Sequence, residues 1–505
     1  MTFQQVLDGA EVLAQSGDPG VSSVEYDSRR VKPGCVFVAM RGESSDGNGF
    51  IDQAIQAGAV AVVSDSAAEK PRPDVGWALV THGRRALARI SANFYKKPAE
   101  RIAITGITGT NGKSTTAFLL ESILNAAGRK SALIGTIEYH VAGKVLPAPH
   151  TTPESLDLNR ILSEALGNGA TEAVMEVSSH ALAQERVYGV PFDVAVFTNL
   201  TRDHLDYHKT MEEYFAAKRV LFEGCGTDPP RAVVTNIDDE SGAKLAEFSR
   251  KRSLVVLKYG WQHGDVHAQK VEITTRGTRF DLVMPEEKIA VFSALIGRVN
   301  VYNILATAGA AYARGCKAPA IAAGIDKLAC VPGRFERVDC GQPFTVVVDY
   351  AHTDDALRNL TALARELVSG GGTKGRVLTV FGCGGDRDRK KRPLMGEAAG
   401  RGSDFVVLTS DNPRSEDPLA IINDAVVGLQ KTGVKYRVEA DRRKAIALAI
   451  SEARPGDIVL VAGKGHEKVQ ITREGAIPFD DLEVARGALR AAGFECEAAK
   501  AGAMG

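Results

Sequence analysis

The residues between Gly106 and Ser114 have the types and spacing of a phosphate-binding loop. They read Gly-Ile-Thr-Gly-Thr-Asn-Gly-Lys-Ser, follow the apolar run 102–104 and precede a helix-compatible stretch, 116–124. Glycines let backbone N–H groups turn toward phosphates, the lysine adds a positive charge, and the serine hydroxyl can ligate magnesium. The usual pattern has glycine where this chain has Ile107, and a glycine-rich turn that binds nothing is the alternative. The order strand, loop, helix predicts a nucleoside triphosphate site.

Lys218 lies on the apolar face of a predicted helix. In the segment 211–222 apolar residues recur at helical spacing, and position 218 belongs to the same face. Burial would lower the pKa of the amine, so that the neutral form could add carbon dioxide and become a carbamate, an oxygen ligand for a metal. Glu176 and His204 could join Ser114 and this carbamate around magnesium. The alternative is a lysine that snorkels from the edge of the apolar stripe.

Buried-type strands that alternate with helical segments must position these residues. Apolar runs such as 173–177 and 194–197 are separated by helical patterns, and the alternation restarts with 345–349 and 377–381. This pattern predicts parallel, doubly wound sheets, in which ligands lie at the carboxyl ends of strands. The chemically informative residues follow such ends, and they are Glu176, Asn199, Asp349, Gly382 to Arg387, Asp411 to Arg414 and Gly463 to Glu467.

The length of 505 residues exceeds what one core usually supports, so we predict three domains. The charged, proline-containing segment 93–100 suits a linker, and a second boundary lies near 331–334. The prediction is an α/β protein with a small N-terminal α/β domain (1–98), a central phosphate-loop ATPase domain with a parallel sheet (99–331) and a C-terminal Rossmann-like, doubly wound domain (332–505).

The composition excludes several classes of protein. With 62 basic and 62 acidic residues the net charge is zero, which provides no overall field for nucleic acid or an anionic membrane. No apolar run approaches membrane-spanning length, and the N-terminus lacks the features of a signal peptide. Seven cysteines without C-x-x-C spacing argue against a disulfide framework and a structural zinc site. We therefore expect a cytoplasmic protein that neither binds nucleic acid nor inserts into a membrane.

Seven motifs follow one another along the chain, and they are Gly109–Ser114, Glu176–His180, Asn199–His204, Tyr214–Lys218, Asn300–Asn303, Gly333–Glu336 and Asp349–His352. They occur in the order found in the Mur ligases, and the chain resembles this family over nearly its whole length. Within the family the chain is most similar to the type that adds the third residue of the peptidoglycan stem peptide. Its segments 27–29, 33–34 and 46–47 resemble that type's UDP-binding domain. Asp354 stands where the family usually has proline, which would loosen the turn after His352.

The resemblance implies a monomeric ligase that uses ATP and magnesium to add meso-2,6-diaminopimelate to UDP-N-acetylmuramoyl-L-alanyl-D-glutamate in cytoplasmic cell-wall synthesis. The ATP-binding residues would be Gly109, Thr110, Asn111, Gly112, Lys113, Ser114, Asn303, Arg334 and Asp349. The catalytic residues would be Lys113, Glu176, His204, Lys218 and Arg334, with magnesium held by Ser114, Glu176, His204 and the carbamate (N6-carboxylysine) form of Lys218. The UDP-substrate would contact Tyr26, Ser28, Glu43, Ser44, Ser45, Thr151, Thr152, Ser178, Gln184 and Arg186.

The segment 410–414, Ser-Asp-Asn-Pro-Arg, resembles the family's signature for diaminopimelate. This amino acid has a second carboxylate at its far end, which a guanidinium can bind through two parallel hydrogen bonds. By the same resemblance the diaminopimelate contacts would be Arg387, Asp411, Asn412, Pro413, Arg414, Gly463 and Glu467, with Glu467 suited to the distal ammonium. Taken alone, Asp-Asn-Pro-Arg is also an ordinary turn sequence.

Two other functions stay open at this point. One is a related amide ligase, either a different Mur ligase or a folylpolyglutamate synthetase, which would lack the opening UDP-type domain or the 411–414 signature. The other is a protein that closes on ATP without forming a bond, which would lack a catalytic group.

Overall fold

The structure is a computed structural model that describes residues 1–42, 45–274, 276–370 and 375–496. Within these residues the chain folds around three main sheets, one for each third of the sequence. Among the helices described there, none is long and apolar enough to cross a membrane. The predicted α/β class with three domains is confirmed, while the boundaries near residues 98 and 331 stay predictions.

The N-terminal sheet is mostly parallel, in the order β1-β5-β4-β3-β2, with β1 antiparallel to β5. Its strands are β1 (Val12–Ser16), β2 (Ser23–Glu25), β3 (Cys35–Ala39), β4 (Ala59–Ser64) and β5 (Gly76–Val80). The helices are α1 (Phe3–Val6), α2 (Ile51–Gln56) and α3 (Gly83–Phe94). Because α3 continues to Phe94, the predicted linker at 93–100 began too early. Lys96 and Lys97, with φ of 60° and 50°, lie just beyond the end of α3.

The central sheet has the order β16-β15-β14-β13-β12-β11-β6-β10-β7-β8-β9 in the described part of the chain. Its strands are β6 (Ala103–Thr108), β7 (Ser131–Ile134), β8 (Glu138–Val141), β9 (Lys144–Pro147), β10 (Glu172–Glu176), β11 (Val194–Phe197), β12 (Ala232–Asn236), β13 (Val255–Gly260), β14 (Val266–Thr274), β15 (Gly277–Val283) and β16 (Lys288–Ser293). The strands from β7 to β14 in this order are parallel, as predicted. The outer strands β8, β9, β15 and β16 pair antiparallel and extend this parallel sheet at its two edges, which the sequence pattern did not predict.

Helices cover both faces of the central sheet and bury two apolar cores. They are α4 (Lys113–Ala126), α5 (Ser155–Gly167), α6 (Ser179–Ala183), α7 (Leu205–His208), α8 (Met211–Glu223), α9 (Glu240–Lys251), α10 (Arg298–Ala313) and α11 (Ala318–Lys327). Strands such as β11 and β12 are buried along their whole length, which explains their continuous apolar sequence. This burial fixes the strand ends on which the candidate site depends.

The C-terminal sheet has the order β17-β18-β22-β19-β20-β21 and is parallel except for β17. Its strands are β17 (Glu336–Val338), β18 (Thr345–Asp349), β19 (Val377–Phe381), β20 (Phe405–Leu408), β21 (Lys435–Val438) and β22 (Ile458–Ala462), followed by a separate hairpin, β23 (Val469–Thr472) and β24 (Gly475–Pro478). The helices are α12 (Asp354–Gly370), α13 (Lys391–Gly402), α14 (Pro418–Gln430), α15 (Arg442–Glu452) and α16 (Asp481–Ala491). Asp354 begins α12, and Thr353 Oγ1 accepts from Ala356 N at 3.1 Å in the first turn, while the effect of the missing proline stays a prediction.

A disulfide joins Cys340, after β17, to Cys496, after α16. The two cysteines are 156 positions apart, so their spacing in the sequence carries no sign of their proximity. The spacing of the cysteines argued against a disulfide framework and did not predict this single bridge. Cys35, Cys225, Cys316, Cys330 and Cys383 are free thiols.

Candidate active site

A cavity of about 250 Å³ lies between the central and C-terminal domains. The central domain contributes the segment around His204, and the C-terminal domain contributes the ends of its parallel strands. Six of the seven residues predicted to bind diaminopimelate line the cavity, and they are Arg387, Asp411, Asn412, Arg414, Gly463 and Glu467. The structure thus brings together segments that are up to 80 positions apart in the sequence, at the sheet edge where ligands were expected.

The phosphate loop connects β6 to α4 and requires its glycines. Gly109 and Gly112 have φ of 146° and 88°, values that side chains disfavour. A Cβ on Gly109 would collide with Thr198, and one on Gly112 with Asn303. Asn199 fixes the loop, because its Oδ1 accepts from Asn111 N at 2.9 Å and its backbone oxygen from Thr110 N at 2.8 Å. The first backbone N–H groups of α4 therefore follow directly on this fixed turn, and together they form a place where an anion can bind.

Two lysines meet at one carbonyl of this loop. Lys113 Nζ donates to Gly109 O at 3.0 Å and to Thr110 O at 2.7 Å, and Lys218 Nζ donates to Gly109 O at 2.8 Å. The side chain of Lys218 is only 1% exposed, so the sequence prediction that it points inward is correct. Burial and the neighbouring Lys113 hold the pKa of Lys218 well below its usual value. Burial also lowers the pKa of Lys113.

His204 and Glu176 flank the same region. His204 has φ of 54° and immediately precedes α7. Burial lowers the pKa of its imidazole to about 3, so the ring is neutral at pH 7. The buried carboxylate of Glu176 accepts from Thr136 N at 2.8 Å and from Thr136 Oγ1 at 3.0 Å. Among the described residues, no group of three or more His, Cys, Asp or Glu side chains is arranged to hold a metal. The predicted magnesium ligands are not such a group, because only Glu176 and His204 among them are of these residue types. The other two are the hydroxyl of Ser114 and the carbamate form of Lys218.

The C-terminal domain reaches the phosphate loop through Arg334. Its Nη2 donates to Ser114 Oγ at 3.2 Å, and its guanidinium lies 4.6 Å from the ring centroid of Tyr350. Asp349 Oδ2 accepts from Phe335 N at 2.7 Å, next to Arg334, and burial raises the pKa of this carboxyl. Asn303 lies on α10 beside Gly112. The predicted nucleotide residues from two domains therefore converge on one loop.

Polar contacts that sequence reasoning missed close the cavity between the domains. Lys391 Nζ lies 3.3 Å from Asp203 Oδ1, and Arg202 Nη2 lies 3.3 Å from Asp388 Oδ2. Burial opposes ionisation of Asp203, but Lys391 and nearby imidazoles outweigh it and hold the pKa of this carboxyl below its usual value. Asp203 stands beside His204 in a motif already singled out, which was the available clue. No local feature marked Lys391.

The predicted amino-acid subsite has cationic and acidic ends. Arg414 Nη1 donates to Gly385 O at 2.7 Å, and burial together with the neighbouring Arg387 lowers the pKa of Arg414. Within the described residues no carboxylate forms an ion pair with either arginine. Arg414 has φ of 52°, a left-handed backbone that its amide N stabilises by donating to Ile471 O at 3.0 Å. At the acidic end, Asn412 Nδ2 donates to Glu467 Oε2 at 2.9 Å.

The predicted UDP-substrate residues form two groups. Thr152 Oγ1 donates to Glu176 O at 2.9 Å and accepts from Ser178 N at 3.1 Å, and Arg186 donates to Thr152 O at 3.0 Å and to Gln184 Oε1 at 2.7 Å. Thr151 lies beside Thr136, 3.1 Å between hydroxyl oxygens. In the N-terminal domain, Tyr26 donates to Asp157 of α5 at 2.9 Å, Ser28 donates to Gln53 at 3.1 Å, and Ser45 is exposed. Glu43 and Ser44 lie outside the described residues.

Three family models match the chain in succession. They are described as "Mur ligase family, catalytic domain" (residues 20–95), "Mur ligase middle domain" (107–311) and "Mur ligase, glutamate ligase domain" (333–465). Two similar relatives are named UDP-N-acetylmuramoyl-L-alanyl-D-glutamate--2,6-diaminopimelate ligase. The one from Solibacter usitatus is 55% identical over 94% of each chain. The one from Geobacter metallireducens is 46% identical over 96% of this chain and 98% of its own.

Solved structures give the same result. A structure of UDP-N-acetylmuramoyl-L-alanyl-D-glutamate--2,6-diaminopimelate ligase has a TM-score of 0.68 and 33% identity, covering 98% of this chain and 99% of its own. MurF ligase from Thermotoga maritima in complex with ADP has a TM-score of 0.66 at 20% identity, covering 94% and 99%, which supports the fold alone. The family models and the identity to the relatives together establish that this chain belongs to the Mur ligase family.

Proposed function

We propose that the chain is an ATP-dependent ligase that adds meso-2,6-diaminopimelate to UDP-N-acetylmuramoyl-L-alanyl-D-glutamate, forming a peptide bond and releasing ADP and phosphate. The observation that carries this proposal is the shared cavity. Residues of the predicted amino-acid subsite line one side of it, and His204, beside the phosphate loop, lines the other. The relative that bears this name at 55% identity supports the same reaction.

Joining a carboxylate to an amine in water is uphill, so the carboxylate is first activated. An oxygen of the UDP-substrate's carboxylate attacks the γ-phosphorus of ATP, the bond to ADP breaks, and an acyl phosphate forms. Positioning and charge neutralisation are what this transfer needs from a protein. Lys113 and Arg334, both beside Ser114 at the phosphate loop, meet that need. The neutral amine then attacks the acyl carbon, phosphate leaves, and the amine gives up its proton.

We propose that Ser114, Glu176, His204 and the carbamate form of Lys218 hold magnesium. The chemistry of these donors fits, because hydroxyl, carboxylate and carbamate oxygens are hard ligands and a neutral imidazole can share the site. The low pKa of Lys218 fits as well, since only a neutral amine adds carbon dioxide. Bound magnesium would neutralise the negative charge of the phosphates. Glu176 is already oriented for this role by its two hydrogen bonds from Thr136.

Diaminopimelate differs from lysine by its distal carboxylate, and the paired cations Arg387 and Arg414 suit that group. The guanidinium of Arg414 uses one N–H on Gly385 O, and further donors are available for a bidentate contact. Glu467 and Asp411 at the other end suit the distal ammonium. Bound lysine would leave the two arginines without an anion, so the subsite favours diaminopimelate over lysine.

The UDP-substrate is proposed to span the N-terminal and central domains. Tyr26 already bridges them through Asp157, and the group around Thr152 and Arg186 leads to Glu176.

We also propose that the enzyme acts as a monomer in the cytoplasm, where ATP and UDP-linked precursors are made. The Cys340–Cys496 disulfide is of a kind more common in oxidising compartments than in the cytoplasm. Fractionation of source cells therefore tests the proposed location.

Phosphate release tests the proposed function directly. The purified chain is incubated with ATP, magnesium and UDP-N-acetylmuramoyl-L-alanyl-D-glutamate, with and without diaminopimelate. We expect sustained phosphate release and a product heavier by one diaminopimelate residue only when all components are present. Phosphate release at the same rate without diaminopimelate would contradict the proposal. Phosphate release that requires a folate substrate would contradict it as well.

A further inference from the structure

Lys464 is a fully buried lysine at the rear of the amino-acid subsite, and it lies within the informative segment 463–467 but was not among the predicted diaminopimelate contacts. It lies in the loop after β22, between Gly463 and Glu467, and its side chain is 0% exposed. An ammonium group removed from water is costly unless its hydrogen bonds and charge are matched. The groups that contact its ammonium therefore indicate what the buried charge does.

The ammonium of Lys464 is surrounded by residues of the subsite. Its Nζ donates to Asn412 Oδ1 at 2.7 Å and to Val469 O at 2.9 Å. It also lies 3.3 Å from Asp411 Oδ1 and 3.6 Å from Glu467 Oε2. Asp411, Asn412 and Glu467 line the cavity, whereas Lys464 is enclosed behind them.

These contacts fix the orientation of the Asn412 amide. Its Oδ1 accepts from Lys464 Nζ and from Ile471 N, the latter at 3.0 Å. With the oxygen held by two donors, Nδ2 is turned toward Glu467 and donates to its Oε2 at 2.9 Å. The position of the Glu467 carboxylate thus depends on Asn412, and that of Asn412 depends on Lys464.

The charges around Lys464 also connect it to Glu467. Asp411 and Glu467 are two neighbouring carboxylates, and burial and Asp411 both raise the pKa of Glu467. Like charges in a partly dry site favour uptake of a proton by one of them. The positive charge of Lys464, 3.3 Å from Asp411 Oδ1 and 3.6 Å from Glu467 Oε2, offsets part of this repulsion.

We propose that Lys464 is a positioning residue for the amino-acid subsite, which holds Asn412 and, through it, Glu467 in place to receive the distal ammonium of the incoming amino acid. This inference rests on the proposed function. Lys464 does not line the cavity, so it acts through its neighbours. A solely structural lysine would instead support the fold without affecting one substrate more than the others.

Lys464→Met tests the inference, because methionine has a similar length and no charge. We expect KM for diaminopimelate to rise about 10- to 100-fold, the equivalent of losing a hydrogen bond to a charged group. KM for ATP and for the UDP-substrate should stay within about twofold of wild type, because both bind elsewhere. Lys468→Met is the matched control. Lys468 is 60% exposed and pairs with Asp480 at 2.7 Å, so its loss should leave all three constants unchanged.

A double-mutant cycle with Asn412→Ala separates positioning from a general effect on the fold. If Lys464 acts through Asn412, adding Lys464→Met to Asn412→Ala should raise KM for diaminopimelate by less than about threefold. Equal changes in all three KM values, or full additivity, would overturn the inference. Lys464→Gln, which retains a donor to Asn412, replaces the methionine variant if that one does not fold, and failure of both would show a solely structural role.

The two proposals fail in different ways. A wild-type enzyme that does not use diaminopimelate would refute the proposed function and this inference together. A wild-type enzyme that uses diaminopimelate, with a Lys464→Met variant indistinguishable from it, would refute the inference alone.

Discussion

Truncation of Arg414 to alanine should selectively reduce the use of diaminopimelate. The substitution removes the guanidinium that we assign to the distal carboxylate and leaves the neighbouring Arg387 in place. Among the described residues Arg414 makes one side-chain hydrogen bond, to Gly385 O, and burial together with repulsion from Arg387 lowers its pKa. Its loss should therefore change the melting temperature little, so that an effect on activity reports substrate binding.

The magnitude follows from burial and from the second arginine. Breaking a fully buried, bidentate charge pair costs about 2–5 kcal/mol. Arg414 is only partly buried, and Arg387 still offers a positive charge, so the lower part of this range applies. A loss of about 2–3 kcal/mol corresponds to a decrease in kcat/KM for diaminopimelate of about 30- to 150-fold. Lysine lacks the distal carboxylate, so its kcat/KM should change by less than about threefold.

The assay is steady-state phosphate release with each amino acid, for wild type, Arg414→Ala and a control, Arg389→Ala. Arg389 is 66% exposed, lies 3.4 Å from Asp424 and does not line the cavity. The ratio of kcat/KM values reports discrimination between the two amino acids. If Arg414→Ala reduced kcat/KM for both amino acids in equal proportion, Arg414 would support the fold or domain closure and would not recognise the distal carboxylate.

Three further predictions concern the central domain. Lys113→Ala should abolish phosphate release while calorimetry still detects binding of the UDP-substrate, because the lost charge acts on ATP; normal turnover would show that the phosphate loop is wrongly assigned. Lys218→Ala should be inactive and partly rescued by short carboxylic acids that occupy the vacated oxygen positions, and an unmodified ammonium in an active, magnesium-bound crystal structure would refute the carbamate. Burial disfavours charge on His140, but Glu121 and Glu138 outweigh it and raise the pKa of His140 to about 9 from 6.5. The charge-linked stability of wild type over His140→Gln should thus be complete below pH 6.5 and disappear as pH rises to about 9, whereas a difference in melting temperature independent of pH would contradict this.

Local periodicity was sufficient to predict part of the site. The apolar stripe of α8 predicted that Lys218 points inward, because a helix repeats its faces every three to four residues. Buried runs predicted strands, and Glu176 and Asp349 lie at the carboxyl ends of two of them. These predictions succeed because helix and strand periods depend on neighbouring residues only.

Contacts between distant segments were not predictable in this way. Lys464 meets Asn412, 52 positions away, because the loops after β22 and β20 follow strands that lie on either side of β19 in the C-terminal sheet. The Lys391–Asp203 contact between the central and C-terminal domains is of the same kind, because it joins residues 188 positions apart. In each case the deciding interaction joins elements whose relative position follows from the tertiary fold, and no local pattern reports it.

The left-handed backbone at Arg414 limits how substrate preference could evolve. Such a conformation costs most residues about 1–2 kcal/mol, and arginine already bears that cost. Glycine, asparagine and aspartate adopt it more easily, whereas β-branched residues do not. A lineage that changes its amino acid could therefore replace Arg414 with asparagine and gain stability as it loses the guanidinium. Replacement by valine or isoleucine would move the loop and displace Asn412. The shape of one turn thus selects which new specificities are within reach of a single substitution.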